Sequence, residues 1–118
     1  MGHDVTTHPS QITIYFNDAD LATAGRLAES LRDWIGGVDR TVSAERQRVD
    51  PSSMDFGTSL VVLFGAPAVV AVARGIEGWL KAHHSAKITI FTGNQKQVVE
   101  NITSNNAVKI IEILKADS

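Results

Sequence analysis

This 118-residue sequence contains no cysteine, so it forms no disulfide, no thiolate metal site and no cysteine nucleophile. The absence suits a reducing compartment, and we expect a cytoplasmic protein. The first ten residues, MGHDVTTHPS, lack a basic region followed by an apolar stretch, so they do not resemble a secretory signal. We interpret residues 1–10 as a flexible polar tail and residues 11–116 as a single α/β domain.

An excess of positive charge is also missing. The net charge is -2, whereas a nucleic-acid surface needs clustered lysine and arginine, so no nucleic-acid partner is expected. The apolar stretch Ser59–Ala73 spans fifteen residues, about 22 Å as a helix against roughly 30 Å of hydrocarbon, and Arg74 and Glu77 follow directly. A buried helix is therefore favoured, and a membrane-associated component is kept as an alternative.

The first half of the chain predicts a strand, a helix and a second strand. QITIYF, residues 11–16, alternates apolar and polar side chains as a half-buried strand does. An amphipathic helix follows, capped by Asp18 or Asp20, with Trp34 and Ile35 on its apolar stripe and Gly36-Gly37 as its terminator. The polar segment 39–50 predicts an edge strand, since its charges discourage pairing with another sheet.

The second half predicts two helices around a hairpin. Residues 59–64 are interpreted as an apolar turn or short helix, followed by a break at Gly65-Ala66 and a new helix with Pro67 near its first position. Two strands, 87–92 and 95–102, flank a two-residue Gly93-Asn94 turn that would place Lys87 opposite Glu100. A last helix follows a cap at Ser104 or Asn105, with the apolar side expected to include Val108, Ile110, Ile111 and Leu114.

The predicted element order is β-α-β-α-β-β-α. It specifies a small α+β domain of two layers, with three helices packed on a mixed four-stranded sheet.

No set of residues predicts catalysis, a cofactor or a metal site. His83 and His84 are adjacent, so on a helix they point about 100° apart and do not share a metal easily. Asp18 and Asp20 suit a hard cation, but no third acidic ligand accompanies them, and helix capping explains them better. No serine lies in a G-x-S-x-G turn, and the glycines lack a G-K-[ST] ending. We therefore predict a protein that is not an enzyme.

Six residues are candidates for binding a partner protein. Arg46 and Arg48 share one face of the polar strand and suit an acidic surface, although a solvated face is the simpler explanation. Trp79 is either a core residue or an interface anchor. The remaining candidates lie on the same helix, where small residues permit close packing and a basic residue ends the helix: Gly75, Gly78 and Lys81.

The segment MDFGTSLVVLFGAPAVVAVARGIEGWLKAHHSAKITIFTGNQKQVVE resembles the core of the effector-associated constant component family of bacterial conflict systems. Met54 and Gly57 match the start of the family pattern, and residues 60–65 match its apolar stretch. Trp79-Leu80-Lys81 matches its helix end, and residues 88–90 match its V-x-V strand. The chain departs from the pattern at residues 66–68, where several small residues are usual, and in its basic cluster, where histidines replace arginines.

The resemblance implies a non-enzymatic adaptor or scaffold in a bacterial defence or regulatory system. Such domains accompany an effector, such as a trypsin-like or caspase-like peptidase or another toxin-like enzyme, in systems regulated by a nucleoside-triphosphate-dependent sensor. A homo-oligomer is also compatible with the small-residue helix. The alternative is a small-molecule or nucleotide-binding regulatory domain, with the Asp18–Asp20 loop and the hairpin framing its pocket.

Overall fold

The computed structural model of the chain describes residues 10–17, 19–48, 58–92 and 98–117. Five strands and three helices make up this part of the chain, and a single 3-10 turn at Ala66–Ala68 precedes the second helix. The elements are β1 (Ser10–Phe16), α1 (Leu21–Val38), β2 (Ser43–Arg48), β3 (Thr58–Phe64), α2 (Val69–Ala82), β4 (Ile88–Thr92), β5 (Val98–Ile102) and α3 (Lys109–Asp117).

The strands form one sheet in the order β2-β3-β1-β4-β5, so β1 is the middle strand. Every neighbouring pair is antiparallel. The structure confirms a small α+β domain with three helices. The sheet differs from the prediction in two respects, because it has a fifth strand and is antiparallel throughout rather than mixed.

The extra strand is β3, which the sequence pattern assigned to a turn or short helix. Leu60, Val62 and Phe64 are buried, while Val61 and Leu63 on the other face are half-buried. Because both faces carry apolar residues, the segment lacks the polar-apolar alternation that identifies a half-buried strand. The predicted break is confirmed at Gly65, whereas Ala66 already begins the 3-10 turn, in which Pro67 lies as predicted near the start of the helical segment.

The core lies between one face of the sheet and the helices. Ile12, Ile14 and Phe16 alternate inward from β1, and they belong to a single cluster with the buried residues of all three helices. Burying large apolar side chains provides the main driving force for folding, at roughly 25 cal/mol per Å² of apolar surface.

Helix α1 begins as predicted but ends differently. Asp20 is its N-cap, since its carboxylate accepts a hydrogen bond from the Thr23 backbone N–H at 2.7 Å. Gly36 and Gly37 do not terminate the helix, which continues to Val38 and is capped by Asp39. Neither glycine has the positive φ of a left-handed terminator.

The β4–β5 pairing also corrects the sequence prediction. Ile88 pairs with Ile102 and Ile90 with Val99, so β5 carries one more residue than β4 across this interval. In a regular strand, residues three apart such as Val99 and Ile102 would lie opposite partners on different faces of the sheet. The β-bulge lets both pair with β4 residues that face inward. The register excludes the predicted Lys87–Glu100 pair, and the turn at 93–97 lies outside the described residues.

Helix α3 starts later than predicted. Thr103 and Asn106 close the preceding turn, where the Thr103 N–H donates to the Asn106 side-chain oxygen at 2.7 Å. Val108 is 66% exposed, so its assignment to the inner face is wrong. Ile110 and Leu114 are buried as expected. The predicted tail also falls outside the described residues except for Ser10, which already belongs to β1.

Candidate protein-binding surface

Trp79 lies in the core. Its side chain is fully buried, its ring meets Phe16 edge-on at 6.0 Å, and its Nε1 donates a hydrogen bond to the Ser30 hydroxyl at 3.0 Å. The ring also stacks on His83, with centroids 4.4 Å apart. A fully buried side chain offers no contact area to a partner. Trp79 is therefore a core residue, and its assignment as an interface anchor is wrong.

The other tryptophan lies at the surface. Trp34 is 40% exposed, although the helical spacing of α1 placed it on the buried stripe with Ile35. Adjacent helical residues point about 100° apart, and the central position over the sheet is taken by Ile35. Trp34 is therefore displaced to the flank of α1 that faces α2.

Trp34 and Val38 lie over the two glycines of α2. A Cβ added at Gly78 would lie 3.5 Å from the Trp34 ring, and one added at Gly75 would lie 3.5 Å from the Val38 side chain. Val38 is itself 46% exposed. We call these four residues the helix patch. It is an apolar surface at the line where α1 meets α2, and it includes two of the sequence candidates, of which Gly78 is half-buried and Gly75 is buried beneath Val38.

Charged side chains of α2 border the helix patch. Arg74 is exposed one residue before Gly75. Lys81 is exposed one helical turn beyond Gly78, and its Nζ lies 3.4 Å from the Glu77 carboxylate. Exposed i,i+4 pairs of this kind contribute only a few tenths of a kcal/mol, so Lys81 remains available to an acidic group.

Arg46 lies away from the helix patch, at the edge of the sheet. It pairs in register with Leu60, which places it on the helix side of β2, and its guanidinium lies 3.6 Å from the Glu29 carboxylate of α1. Arg48 pairs with Thr58 and so occupies the same side of the strand by register. The structure therefore separates the two arginines from Gly75, Gly78 and Lys81.

Most of the residues expected to frame a ligand pocket lie outside the described chain, so only Asp20 can be placed. Asp20 caps α1. The hydrogen bond that its carboxylate accepts from the Thr23 backbone N–H is the main reason why the pKa of Asp20 lies below its ordinary value, and the hydrogen bond from the Thr23 side chain adds to the effect. Asp18 and the hairpin turn lie outside the described residues.

Metal ligation gains no support in the described residues either, where no group of three His, Asp or Glu side chains is close enough to hold an ion. The His83 ring nitrogen Nδ1 lies 2.8 Å from the Trp79 carbonyl oxygen, and Nδ1 of His84 lies 3.4 Å from the Ser104 hydroxyl. The two rings therefore contact different parts of the chain. The helical spacing assumed for them does not apply, because α2 ends at Ala82 and His83 is its C-cap.

Among the helices that the structure describes, none combines the length and apolarity needed to cross a membrane. Comparison of this chain with protein-family models, curated proteins and solved structures finds no match.

Proposed function

We propose that this protein is a non-enzymatic adaptor that binds an effector enzyme through the helix patch and the basic residues beside it. The effector class is that implied by the resemblance to effector-associated constant components, a trypsin-like or caspase-like peptidase or another toxin-like enzyme. The bacterial defence setting, the cytoplasmic location and an NTPase sensor as a further partner belong to the same proposal.

The observation that carries the proposal is the exposure of Trp34. Tryptophan is enriched among the residues that dominate binding energy at protein interfaces, because it offers a large rigid apolar area. Here it lies beside a second exposed apolar residue, Val38, on a surface that includes Gly75 and Gly78. Such a surface accommodates a helix or loop of a partner at close approach.

The charges support a partner with acidic groups around its apolar contact. Arg74 and Lys81 both project from α2 into solvent near the helix patch. Rim charges of this kind chiefly accelerate association and select against wrong partners, while the apolar centre supplies affinity. Arg46 and Arg48 lie on the edge strand β2, so we assign them to steering rather than to the contact itself.

The test is an affinity purification of the tagged full-length chain from its native host, with bound proteins quantified by mass spectrometry. We expect a peptidase or another effector enzyme in near-stoichiometric amount from the wild type. Trp34→Ala should reduce its recovery at least tenfold, since removal of an anchor residue costs 2 kcal/mol or more at about 1.4 kcal/mol per tenfold change. Circular dichroism and thermal melting verify that each variant is folded.

Val108→Ala is the matched control, because Val108 is an exposed apolar residue away from the helix patch. Gly78→Ala is an independent test of partner binding at the helix patch. Its added methyl group has room against Trp34, so the fold should be retained, whereas a partner seated on α2 would be displaced by the new side chain. Equal recovery of the effector from wild type, Trp34→Ala and Gly78→Ala would contradict binding at the helix patch.

A further inference from the structure

The sheet has a second face, opposite the helices, that no described element covers. Register places odd-numbered residues of β1, β2, β3 and β4 on this face, because their even-numbered neighbours point into the core. We call it the open face. Two of its residues, Ser59 and Thr89, are buried among their neighbours, and the others are exposed or half-buried: Gln11, Thr13, Tyr15, Ser43, Glu45, Gln47, Val61, Leu63 and Phe91.

The open face is unusual for a solvated surface in its lack of charge. Among its described residues only Glu45 is charged, and Glu45 lies on the edge strand β2. The outer side of the helix layer is very different, since it exposes Arg26, Asp33, Arg74, Lys81 and Glu112. An antiparallel sheet with one face in water normally alternates apolar inward and polar outward. Here Val61, Leu63, Tyr15 and Phe91 interrupt that pattern.

Aromatic residues lie close to the centre of the open face. Tyr15 of the middle strand and Phe91 of β4 meet edge-on, with ring centroids 5.1 Å apart and planes at 74°. Both side chains are half-buried, as is Thr13 at the midpoint of β1. Enrichment in aromatics with depletion of charge is the composition of the core of a protein interface rather than of its rim.

We infer that the open face binds the open face of a second copy of this chain. An uncharged apolar centre fits a copy of itself, because self-association then brings no like charges together at the centre. Two sheets packed in this way lie about 10 Å apart, as in a β-sandwich. A two-fold axis between them brings Thr13, at the centre of the face, opposite its own copy.

The position of Glu45 selects the direction of that axis. Glu45, Val61 and Thr13 lie in one row across β2, β3 and β1. An axis running along that row would place the two Glu45 carboxylates opposite each other. An axis along β1 instead places β2 over the partner's β5, and at about 4.8 Å per strand the two carboxylates are then about 20 Å apart within the sheet plane, well beyond the screening length of about 8 Å.

The area of the open face meets the requirement of a dimer. A strand residue covers about 16 Å² of sheet, the product of a strand spacing near 4.8 Å and a rise near 3.4 Å. The five strands have five to seven residues each, so the face measures about 500 Å², and two faces bury about 1,000 Å² before side-chain relief is added. This buried area reaches the lower bound for a specific protein–protein interface. We therefore expect the dimer to have a micromolar Kd.

Such a dimer places its two helix layers on opposite outer sides. Each layer retains its helix patch, so the dimer offers two equivalent binding surfaces. An adaptor built in this way binds two effector molecules, or one effector oligomer with an avidity above that of a single site. The dimer itself stands independently of the effector proposal, because it rests on the other face of the sheet.

Sedimentation velocity of the chain at protein concentrations of about 1–200 µM tests the dimer. These concentrations bracket the micromolar Kd that we expect. We expect the wild type to dimerise over this range and Thr13→Lys to sediment as a folded monomer, with a Kd raised at least 100-fold, because two ammonium groups then meet at the axis. Val108→Lys adds the same charge on the helix side and should dimerise normally. A wild type that stays monomeric throughout, or a Thr13→Lys dimer of unchanged Kd, overturns the inference.

Cross-linking checks the arrangement without relying on a disruptive substitution. The natural chain has no cysteine, so Thr13→Cys and Gln47→Cys each introduce a single thiol, and both keep Glu45. Sheets about 10 Å apart are too distant for a disulfide, which needs Cα atoms within about 7 Å, so the probe is a short bismaleimide. We expect Thr13→Cys to form covalent dimers and Gln47→Cys, on the edge strand, to form few. The reverse result, or cross-linking at neither position, overturns the proposed arrangement.

Discussion

The indole Nε1 of Trp79 donates a hydrogen bond to the hydroxyl of Ser30 at 3.0 Å, and this bond joins α2 to α1 above the sheet. It gives a fully buried tryptophan the polar partner that its N–H requires. Trp34, one helical turn beyond Ser30 on α1, lies against Gly78 of α2, so the same helix pair also positions the exposed tryptophan.

Ser30→Ala should lower the free energy of unfolding by about 1–3 kcal/mol, because it leaves the buried Trp79 N–H without an acceptor. Urea denaturation measures the change as a lower midpoint at an unchanged m-value. Ser85→Ala removes the hydroxyl of an exposed serine and serves as the control, for which we expect a change within about 0.5 kcal/mol. Equal midpoints for the two variants would show that the indole N–H finds another partner.

The two tryptophans should respond differently to truncation. Trp79→Ala removes a fully buried ring and should cost about 3–5 kcal/mol, enough to unfold much of a marginally stable domain. Trp34→Ala removes a ring that is already 40% exposed and should cost about 1–2 kcal/mol while leaving the fold intact. Denaturation midpoints compare the two directly. A greater loss from Trp34→Ala would place Trp34, not Trp79, at the centre of the core.

Sequence reasoning located most elements but could not assign these two residues. Periodicity identified β1, α1 and the inner face of α3 at Ile110 and Leu114, since each has one apolar and one polar side, whereas the edge strand β2 was inferred from its charged composition. It could not distinguish Trp34 from Ile35, because neighbouring positions share the edge of an apolar stripe. The choice depends on how far α1 is rotated against α2, which is a tertiary property.

The errors in the sheet have a related physical cause. Residues 59–64 have apolar side chains on both faces, and a short apolar run does not distinguish a strand from a buried helix. The apolar residues that obscured β3, Val61 and Leu63, lie on the open face. The bulge in β5 likewise depends on pairing with β4, so adjacent Val98 and Val99 gave no register before the partner strand was known.

Alanine at Gly36 and Gly37 should stabilise the protein. Both glycines lie inside α1 with no neighbouring atom within 4 Å of an added Cβ, and neither has positive φ. Each substitution should raise the free energy of unfolding by about 0.5–1 kcal/mol through helix propensity. Thermal melting of Gly36→Ala, Gly37→Ala and the double variant measures the gain. A fall in melting temperature would restore the left-handed terminator that the sequence suggested, since alanine is strained there.

The Asp20 cap of α1 should make the free energy of unfolding depend on pH, and Asp20→Ala should remove that dependence. The Thr23 backbone N–H donates to the Asp20 carboxylate at 2.7 Å, and this bond is the main reason why the pKa of Asp20 lies below its ordinary value of 3.8. A carboxyl group whose pKa is lower in the folded state stabilises the fold at pH values above its unfolded pKa, and that contribution is lost as the pH falls through the folded pKa.

Asp20→Ala should therefore lower the denaturation midpoint at pH 7, and the difference from wild type should shrink as the pH is lowered below about 4. Asp33→Ala, which removes an exposed carboxylate in the middle of the same helix, should show no comparable loss at pH 7. A difference between wild type and Asp20→Ala that stays constant from pH 7 to pH 2 would mean that the ionised carboxylate does not stabilise the helix.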